Sequence, residues 1–201
     1  MSRLTCFKAY DIRGQLGTEL NEDIAYRIAR AFAQFLKPKR IVLGGDVRAT
    51  SPALKAALAN GLRDEGVNVL DLGLAGTEEV YFATFHLGVD GGIEVTASHN
   101  PKAYTGIKLV REGALALSGD TGIGRVRELI EAGLGDPPGG GEAAEIDIYD
   151  AFWERALSFV DADAIGPMKV VVDGGNGMAG RMVGPLLGRL NHLIRCDCTT
   201  R

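Results

Sequence analysis

Short runs of apolar residues alternate with longer segments of helical spacing over residues 21–132. Apolar runs of about four to eight residues bounded by glycine or proline are typical of buried strands, whereas apolar positions three and four apart are typical of helices. The pattern predicts strands over 40–44, 67–72, 91–97 and 106–112, and helices over 51–65, 77–87 and 120–132. This alternation favours an α/β fold with a mixed sheet and helices on both faces.

Local signals mark the ends of the first two helices. Asn21 is a good N-cap, followed by two acidic residues and then by apolar residues at helical spacing as far as Pro38. Ser51 before Pro52 predicts the cap of the next helix, with proline at its first position, and Gly66 predicts its end.

A change in composition suggests a domain boundary. Residues 133–142 contain two prolines and five glycines, which is typical of a linker. We expect a first domain over 1–132, a linker over 133–147 and the truncated start of a second α/β domain over 148–201. In this last segment a helical pattern is followed by a predicted strand over 168–173 and a glycine-rich turn.

The composition argues against several classes of partner. The net charge of −4 leaves no dominant basic face, so we expect no nucleic-acid binding. No apolar run reaches the length of a membrane span and the N-terminal residues lack a signal-peptide core, so we expect no membrane association. Three cysteines, an odd number, do not suggest a disulfide framework, and a reducing, cytoplasmic setting is expected. The composition predicts no oligomeric state.

One stretch in the middle of the chain carries the most informative polar residues. The apolar run 93–97 predicts a strand that delivers Ser98, His99 and Asn100 before Pro101 stops it. Strand ends of open α/β sheets commonly bind ligands. Adjacent side chains on an extended backbone point to opposite faces, so we do not expect a serine–histidine pair of the hydrolase kind. From spacing alone, a polar turn without function and a ligand-binding loop both remain open.

Three motifs together resemble those of one enzyme family. They are Thr96–Pro101 with Tyr104, Gly106 and Lys108; Phe7–Gly14; and Gly45–Ser51. Their order and spacing are similar to those of the α-D-phosphohexomutases of the phosphomannomutase/phosphoglucomutase type, and the resemblance covers about residues 5–185. It implies that the first domain is the family's α/β/α domain I, which carries a phosphoserine loop. Glu78 and Thr105 depart from the family's usual proline and asparagine, and the threonine puts the hydrogen bonding of the loop in doubt.

The resemblance implies a mutase that interconverts the 1-phosphate and 6-phosphate of a hexose, either mannose or glucose or both. Ser98 would carry a phosphate, and a sugar hydroxyl would attack its phosphorus to form a hexose bisphosphate that returns its other phosphate to the serine. Lys108, on the next strand, would act as acid/base or as a charge stabiliser and would contact the substrate. His99 would hydrogen-bond the loop or the substrate.

The same resemblance implies binding roles for several residues that could otherwise have structural roles alone. Asn100 would hydrogen-bond the loop or the phosphosugar. Without the resemblance, Tyr10 would pack and Arg13 would form a surface ion pair; with it, the two line the wall that binds the phosphosugar. Asp46 and Arg48 either brace a turn or, by resemblance, support the rim of the site, and we expect neither to be catalytic.

The implied cofactors are Mg²⁺ and hexose 1,6-bisphosphate. In this family the metal contacts the phosphate on the serine, here Ser98, and its aspartate ligands belong to a loop without a counterpart in residues 1–201. We find no substitute, because Asp161 and Asp163 are typical of a solvated helix end. We therefore expect an N-terminal fragment of a four-domain enzyme with little activity of its own. The alternative is a non-catalytic α/β remnant that binds phosphosugars or other anions.

Two further patterns carry little weight. The glycines of the segment 175–180 fit a dinucleotide-binding spacing, but a similar glycine turn opens the family's second domain, so we do not expect nucleotide binding. His192, Cys196 and Cys198 are three possible metal ligands in a terminal tail, which is weak evidence for a metal site.

Overall fold

A computed structural model describes residues 4–190, which belong to two compact units, 4–147 and 148–190. The first unit contains β1 (Ile12–Gln15), α1 (Glu22–Leu36), β2 (Arg40–Gly45), α2 (Ser51–Asp64), β3 (Asn68–Leu74), α3 (Thr77–His86), β4 (Gly91–Val95), β5 (Tyr104–Arg111), β6 (Leu115–Ala116), α4 (Gly124–Ala132) and β7 (Ala143–Glu145). The second unit contains α5 (Tyr149–Leu157) and α6 (Ala179–Arg189). Within 4–190, no helix is both long enough and apolar enough to cross a membrane.

The strands of the first unit form one mixed sheet in the order β1-β5-β4-β2-β3-β7, with β6 paired to β5. Strands β4, β2, β3 and β7 are parallel, whereas β5 is antiparallel to each of its neighbours. The predicted mixed sheet is confirmed. The strand direction reverses between β4 and β5, and the loop that joins these two strands carries Ser98.

Different helices cover the two faces of the sheet. Buried residues of α1, α2 and α4 form one apolar core with alternate residues of the strands, among them Ile41, Ile93 and Ile107. The opposite face packs against α3, so closely that a Cβ added to Gly92 would lie 2.4 Å from the hydroxyl oxygen of Thr84. The prediction of helices on both faces is therefore confirmed.

The predicted N-cap of α1 is confirmed, whereas the N-cap of α2 lies one residue before the predicted position. The backbone N–H of Ile24 donates to the side-chain oxygen of Asn21 at 2.9 Å, which satisfies one of the free donors at the start of α1. The N-cap of α2 is Thr50 rather than Ser51, and its side chain makes no capping bond. The hydroxyl of Ser51 instead donates to the carboxylate of Asp46 at 2.6 Å.

Two edge strands are not predicted by the sequence pattern, and one predicted strand is wrong. β1 is only four residues long and includes a glycine, and β7 lies inside the glycine- and proline-rich segment 133–147. Both form because a neighbouring strand supplies their hydrogen-bond partners. The strand predicted over 168–173 is reduced to a single bridge residue, Lys169. Between 148 and 190 no other strand is assigned that could extend the pairing.

Gly106 allows β5 to lie close to both of its neighbours, and we predict that Gly106→Ala is strongly destabilising. A Cβ at this position would lie 2.7 Å from the backbone oxygen of Thr96 and 2.8 Å from that of Ile12. Because neither backbone atom can rotate away, we expect the free energy of unfolding to fall by about 3 kcal/mol. Amide hydrogen exchange in β5 would measure the loss.

Gly45→Ala is the matched control in the same sheet. A Cβ at Gly45 would meet its nearest neighbours at 3.5–3.6 Å, which is ordinary contact. Equal losses of stability in the two variants would show that close backbone contacts are not what excludes a side chain at position 106.

Candidate functional site

The serine loop, residues 96–101, leaves the end of β4 and holds its serine in an unusual backbone conformation. The φ angle of Ser98 is +53°, in the left-handed region that residues other than glycine rarely adopt. Its backbone N–H donates to the hydroxyl of Thr96 at 2.9 Å. The backbone and side-chain amides of Asn100 both donate to the carbonyl of Ala97 at 3.0 Å. These local bonds form a tight turn, and Ser98 is exposed on it.

The serine and histidine of the loop lie closer together than the sequence argument allows. The distance between Ser98 Oγ and His99 Nδ1 is 3.4 Å. The expectation that these side chains point to opposite faces assumed an extended backbone, and it is wrong because Ser98 is left-handed. At this distance the contact is a long one, and the histidine tautomer decides which group donates.

Arg48 holds the serine loop through its backbone. One guanidinium nitrogen donates to the carbonyls of Ser98 at 2.8 Å and Asn100 at 2.7 Å. The other lies 3.3 Å from the carbonyls of Pro101 and Tyr104. A planar guanidinium can reach several acceptors at once, which a lysine ammonium on a flexible chain cannot do in the same geometry. Arg48 therefore ties the loop after β4 to the loop after β2.

Asp46 orients this arginine. Its carboxylate lies 3.4 Å from Nε of Arg48, accepts the backbone N–H of Arg48 at 3.1 Å and accepts the hydroxyl of Ser51 at 2.6 Å. The motif Gly45–Ser51 thus forms a brace below the serine loop. Neither Asp46 nor Arg48 was expected to be catalytic, and the bonds shown for both are structural.

Three charged residues lie on the α3 face of the sheet, on three successive strands. They are Arg13 in β1, Lys108 in β5 and Glu94 in β4, and they share this face because their strand neighbours point into the apolar core. The ammonium of Lys108 lies 3.4 Å from the hydroxyl of Thr77 at the start of α3. Among the described residues, no hydrogen bond joins Lys108 to Ser98.

Tyr10 and Arg13, the two candidate residues of the N-terminal motif, lie in different environments. Tyr10 is 83% exposed, which does not fit the alternative, open without the resemblance, that it packs against the protein. The side chain of Arg13 is only 22% exposed and forms an ion pair with Asp11 at 2.5 Å. Its Nε is buried without a hydrogen-bond partner in the described part of the chain. Arg13 lies opposite Gly106 in the β1–β5 pairing, next to the strand that carries Lys108.

Glu94 is a buried acidic residue near the site that the sequence pattern did not predict. It is 1% exposed, and neither carboxyl oxygen has a hydrogen-bond partner among residues 4–190. Burial raises the pKa of Glu94 well above its ordinary value of 4.5, nearby Asp46 and Glu79 raise it further, and Lys108 opposes them. The available signal was a glutamate inside the apolar run 93–97.

The described residues do not supply a magnesium site. They include no group of three or more His, Cys, Asp or Glu side chains that could hold a metal ion. Asp161 accepts the backbone N–H of Asp163 at 3.1 Å and caps a short helical turn. His192, Cys196 and Cys198 lie outside the described residues. The expected contact of Mg²⁺ with a phosphate on Ser98 stays a prediction.

Thr105, which replaces the asparagine usual in the resembled family, is fully buried. Its hydroxyl has no hydrogen-bond partner in the part of the chain that the structure describes. The turn is instead held by the amides of Asn100 and by Arg48. The replacement of asparagine by Thr105 therefore leaves these bonds of the loop in place.

Comparison with known proteins gives a consistent result. Residues 4–133 match the family model described as phosphoglucomutase/phosphomannomutase, alpha/beta/alpha domain I. A phosphomannomutase of Salmonella montevideo is 60% identical over 198 residues, which are 96% of this chain and 43% of that protein. A phosphomannomutase of Klebsiella pneumoniae is 70% identical over 131 residues, 65% of this chain and 83% of that protein.

A solved structure shares the fold. The crystal structure of a phosphoglucomutase/phosphomannomutase family protein from Burkholderia thailandensis has a TM-score of 0.83 at 36% identity, and the match covers 99% of this chain and 44% of that one. The chain thus spans less than half the length of several proteins that it matches.

We predict that Arg48→Lys loosens the serine loop. The variant keeps the charge but loses the planar set of donors that reaches four backbone carbonyls. We expect a loss of about 1.5–3 kcal/mol of local stability, the usual range for a hydrogen bond to a charged group. Exchange of the amide hydrogens of Asn100 and Tyr104 would measure it. Arg125→Lys, in an exposed pair with Glu128, is the control, and equal exchange in both variants would contradict the role of Arg48.

We predict that Glu94→Gln makes stability less dependent on pH. The folded state keeps Glu94 protonated at pH values where the unfolded chain releases the proton, because its folded pKa is raised. Above pH 4.5, wild type should therefore lose stability relative to the variant by up to about 1.4 kcal/mol per pH unit, until the folded pKa is reached. Exchange of the β4 amides between pH 5 and pH 8 tests this, and parallel profiles would contradict it.

Proposed function

The chain belongs to the phosphoglucomutase/phosphomannomutase family, and on that premise we propose that Ser98 carries a phosphoryl group in the interconversion of hexose 1-phosphate and hexose 6-phosphate. The observation that supports this most directly is the presentation of the serine. Its hydroxyl is exposed on a left-handed turn whose backbone carbonyls are held by Arg48. A rigid, exposed hydroxyl is what repeated transfer to and from a bulky sugar phosphate requires.

The proposed transfer exchanges one phosphorus–oxygen bond for another. A hydroxyl of the hexose monophosphate attacks the phosphorus on Ser98, the bond to Oγ breaks, and the sugar becomes a bisphosphate. The attacking hydroxyl loses a proton and the released serine oxygen gains one. The other phosphate of the bisphosphate then returns to Ser98, which leaves the isomeric monophosphate as product.

The residues around the loop fit distinct parts of this reaction. His99, 3.4 Å from Ser98 Oγ, lies where it can share the serine proton when no phosphate is bound. Lys108 and Arg13, on the α3 face, are the cations that would offset the charge on the transferring oxygens. The donors of Arg48 already bind backbone carbonyls, so this residue positions the loop. Asn100 uses its side-chain amide within the turn.

Substrate and cofactors complete the proposal. We propose a phosphosugar substrate, mannose or glucose phosphate, with hexose 1,6-bisphosphate as phosphoryl donor to Ser98 and Mg²⁺ as the cation that supplies further charge neutralisation. The two relatives described above are phosphomannomutases by name, which supports mannose phosphate as the first substrate to test.

We predict that the chain becomes labelled at Ser98 when it is incubated with radiolabelled hexose 1,6-bisphosphate and Mg²⁺. Labelling of the protein is measured rather than turnover, because the chain spans only 43% of a full-length relative. Peptide mapping should place the label on the peptide that contains Ser98, and Ser98→Ala should abolish it. Ser158→Ala removes an exposed hydroxyl that donates to the carbonyl of Arg155 and should leave labelling intact.

The outcome also separates the two functions considered. Binding of hexose bisphosphate without label on Ser98 would favour an anion-binding domain without transfer. Label on another residue, with Ser98→Ala unaffected, would refute the phosphoserine proposal.

A further inference from the structure

Glu94 occupies a place on the α3 face that is shaped for a side chain of its size. Its strand β4 pairs with β2 so that Glu94 lies beside Gly44. A Cβ at Gly44 would lie 2.7 Å from Oε2 of Glu94 and 2.7 Å from a methyl group of Val80. The absence of a side chain at position 44 therefore makes room for the carboxyl group under α3.

On its other side Glu94 faces Lys108. The two residues are directly opposite in the antiparallel pairing of β4 and β5, and side chains in such pairs have Cβ atoms about 4.5–5.5 Å apart. No hydrogen bond connects them among the described residues, because both oxygens of Glu94 lack partners and the Lys108 ammonium lies near Thr77. The carboxyl and the ammonium are neighbours that are not paired.

The charges around the carboxyl favour its neutral form. The titratable groups that face it come from the loop after β2, from α3 and from β5: Asp46, Glu78, Glu79, Tyr81 and Lys108. Three of these are carboxylates and one is a cation. A buried carboxyl without hydrogen bonds, among more negative than positive neighbours, holds its proton to a higher pH than an ordinary glutamate does.

We propose that Glu94 is a positioning residue for Lys108. As a neutral acid, Glu94 leaves the ammonium of Lys108 uncompensated and available to a phosphoryl group at the serine loop. As a carboxylate, it draws the ammonium into an ion pair on the sheet. The inference rests on the proposed function for the role of Lys108. The step involves only a proton, which leaves the carboxyl for solvent as the pH rises and returns as it falls.

A pH titration by nuclear magnetic resonance tests the coupling directly, without any need for activity. The chain is labelled in its glutamate carboxyl and lysine side-chain carbons, and loss of one signal in Glu94→Gln and one in Lys108→Arg assigns the two residues. We expect Glu94 to titrate well above its ordinary pKa of 4.5 and the Lys108 signal to shift at the same pH. The shift should vanish in Glu94→Gln and persist in Glu78→Gln, which removes an exposed neighbouring carboxylate.

Glu94→Met keeps the test decisive if Glu94→Gln does not fold. Methionine has a similar length and no charge, and the carboxyl that it replaces makes no hydrogen bond to lose. The shift of Lys108 should be missing in this variant as well. Titration of Glu94 at its ordinary pKa, or a Lys108 shift that survives removal of Glu94, would overturn the proposal.

A kinetic measurement then connects the coupling to phosphoryl transfer. The rate of Ser98 labelling by hexose 1,6-bisphosphate should fall about tenfold per pH unit above the titration of Glu94, since only the neutral acid leaves Lys108 available. Glu94→Gln should lack this fall, and Glu78→Gln should retain it. If Ser98 is never labelled, the proposed function fails but the resonance test still stands; if labelling occurs without the Lys108 shift, only this inference fails.

Discussion

The guanidinium of Arg48 joins the loop after β2 to the loop after β4. It leaves the loop after β2, crosses to the loop after β4 and bonds the carbonyls of Ser98 and Asn100. Backbone carbonyls at such a turn lie outside the hydrogen-bond pattern of the sheet, so side chains or water must supply their donors. One arginine supplies them, and the left-handed conformation of Ser98 persists because the surrounding bonds determine it. The exposed hydroxyl is therefore a consequence of how its backbone is held.

The reversal of strand direction in the sheet explains why the loop lies there. β4 runs parallel to β2, and β5 returns antiparallel to β4, so a short connection of eight residues, 96–103, suffices between them. This return places Lys108 opposite Glu94, and Gly106 next to Thr96 and Ile12. The close approach at Gly106 is what lets β1 bring Arg13 beside the strand of Lys108. Loop, lysine and arginine are brought near each other by one antiparallel strand.

Much of this architecture follows from the sequence, and its exceptions have physical causes. Most strands and helices between 21 and 132 are predictable because their apolar runs or helical spacings are clear, and the side chain of Asn21 caps α1 as expected. The exceptions are α4, which is predicted from residue 120 but begins at Gly124, and the two-residue strand β6, which is not predicted. β1 and β7 are held by a neighbouring strand and have too few residues to show a period of their own. The contact of Ser98 with His99 escaped prediction because it depends on a positive φ angle that arises only in the assembled loop.

Glu94 shows why the chemistry of a site is harder to anticipate than its fold. In the sequence it is one polar residue in the apolar run 93–97, which signals burial but does not show which groups surround the carboxyl. Its properties come from Gly44, from α3 and from Lys108, which are distant along the chain and meet only across the sheet. A charged carboxylate there would face a high desolvation cost, whereas a neutral acid tolerates the pocket. If Glu94 has the role proposed for it, the burial that makes stability fall as the pH rises also leaves the ammonium of Lys108 uncompensated while Glu94 is protonated. One side chain then sets both properties.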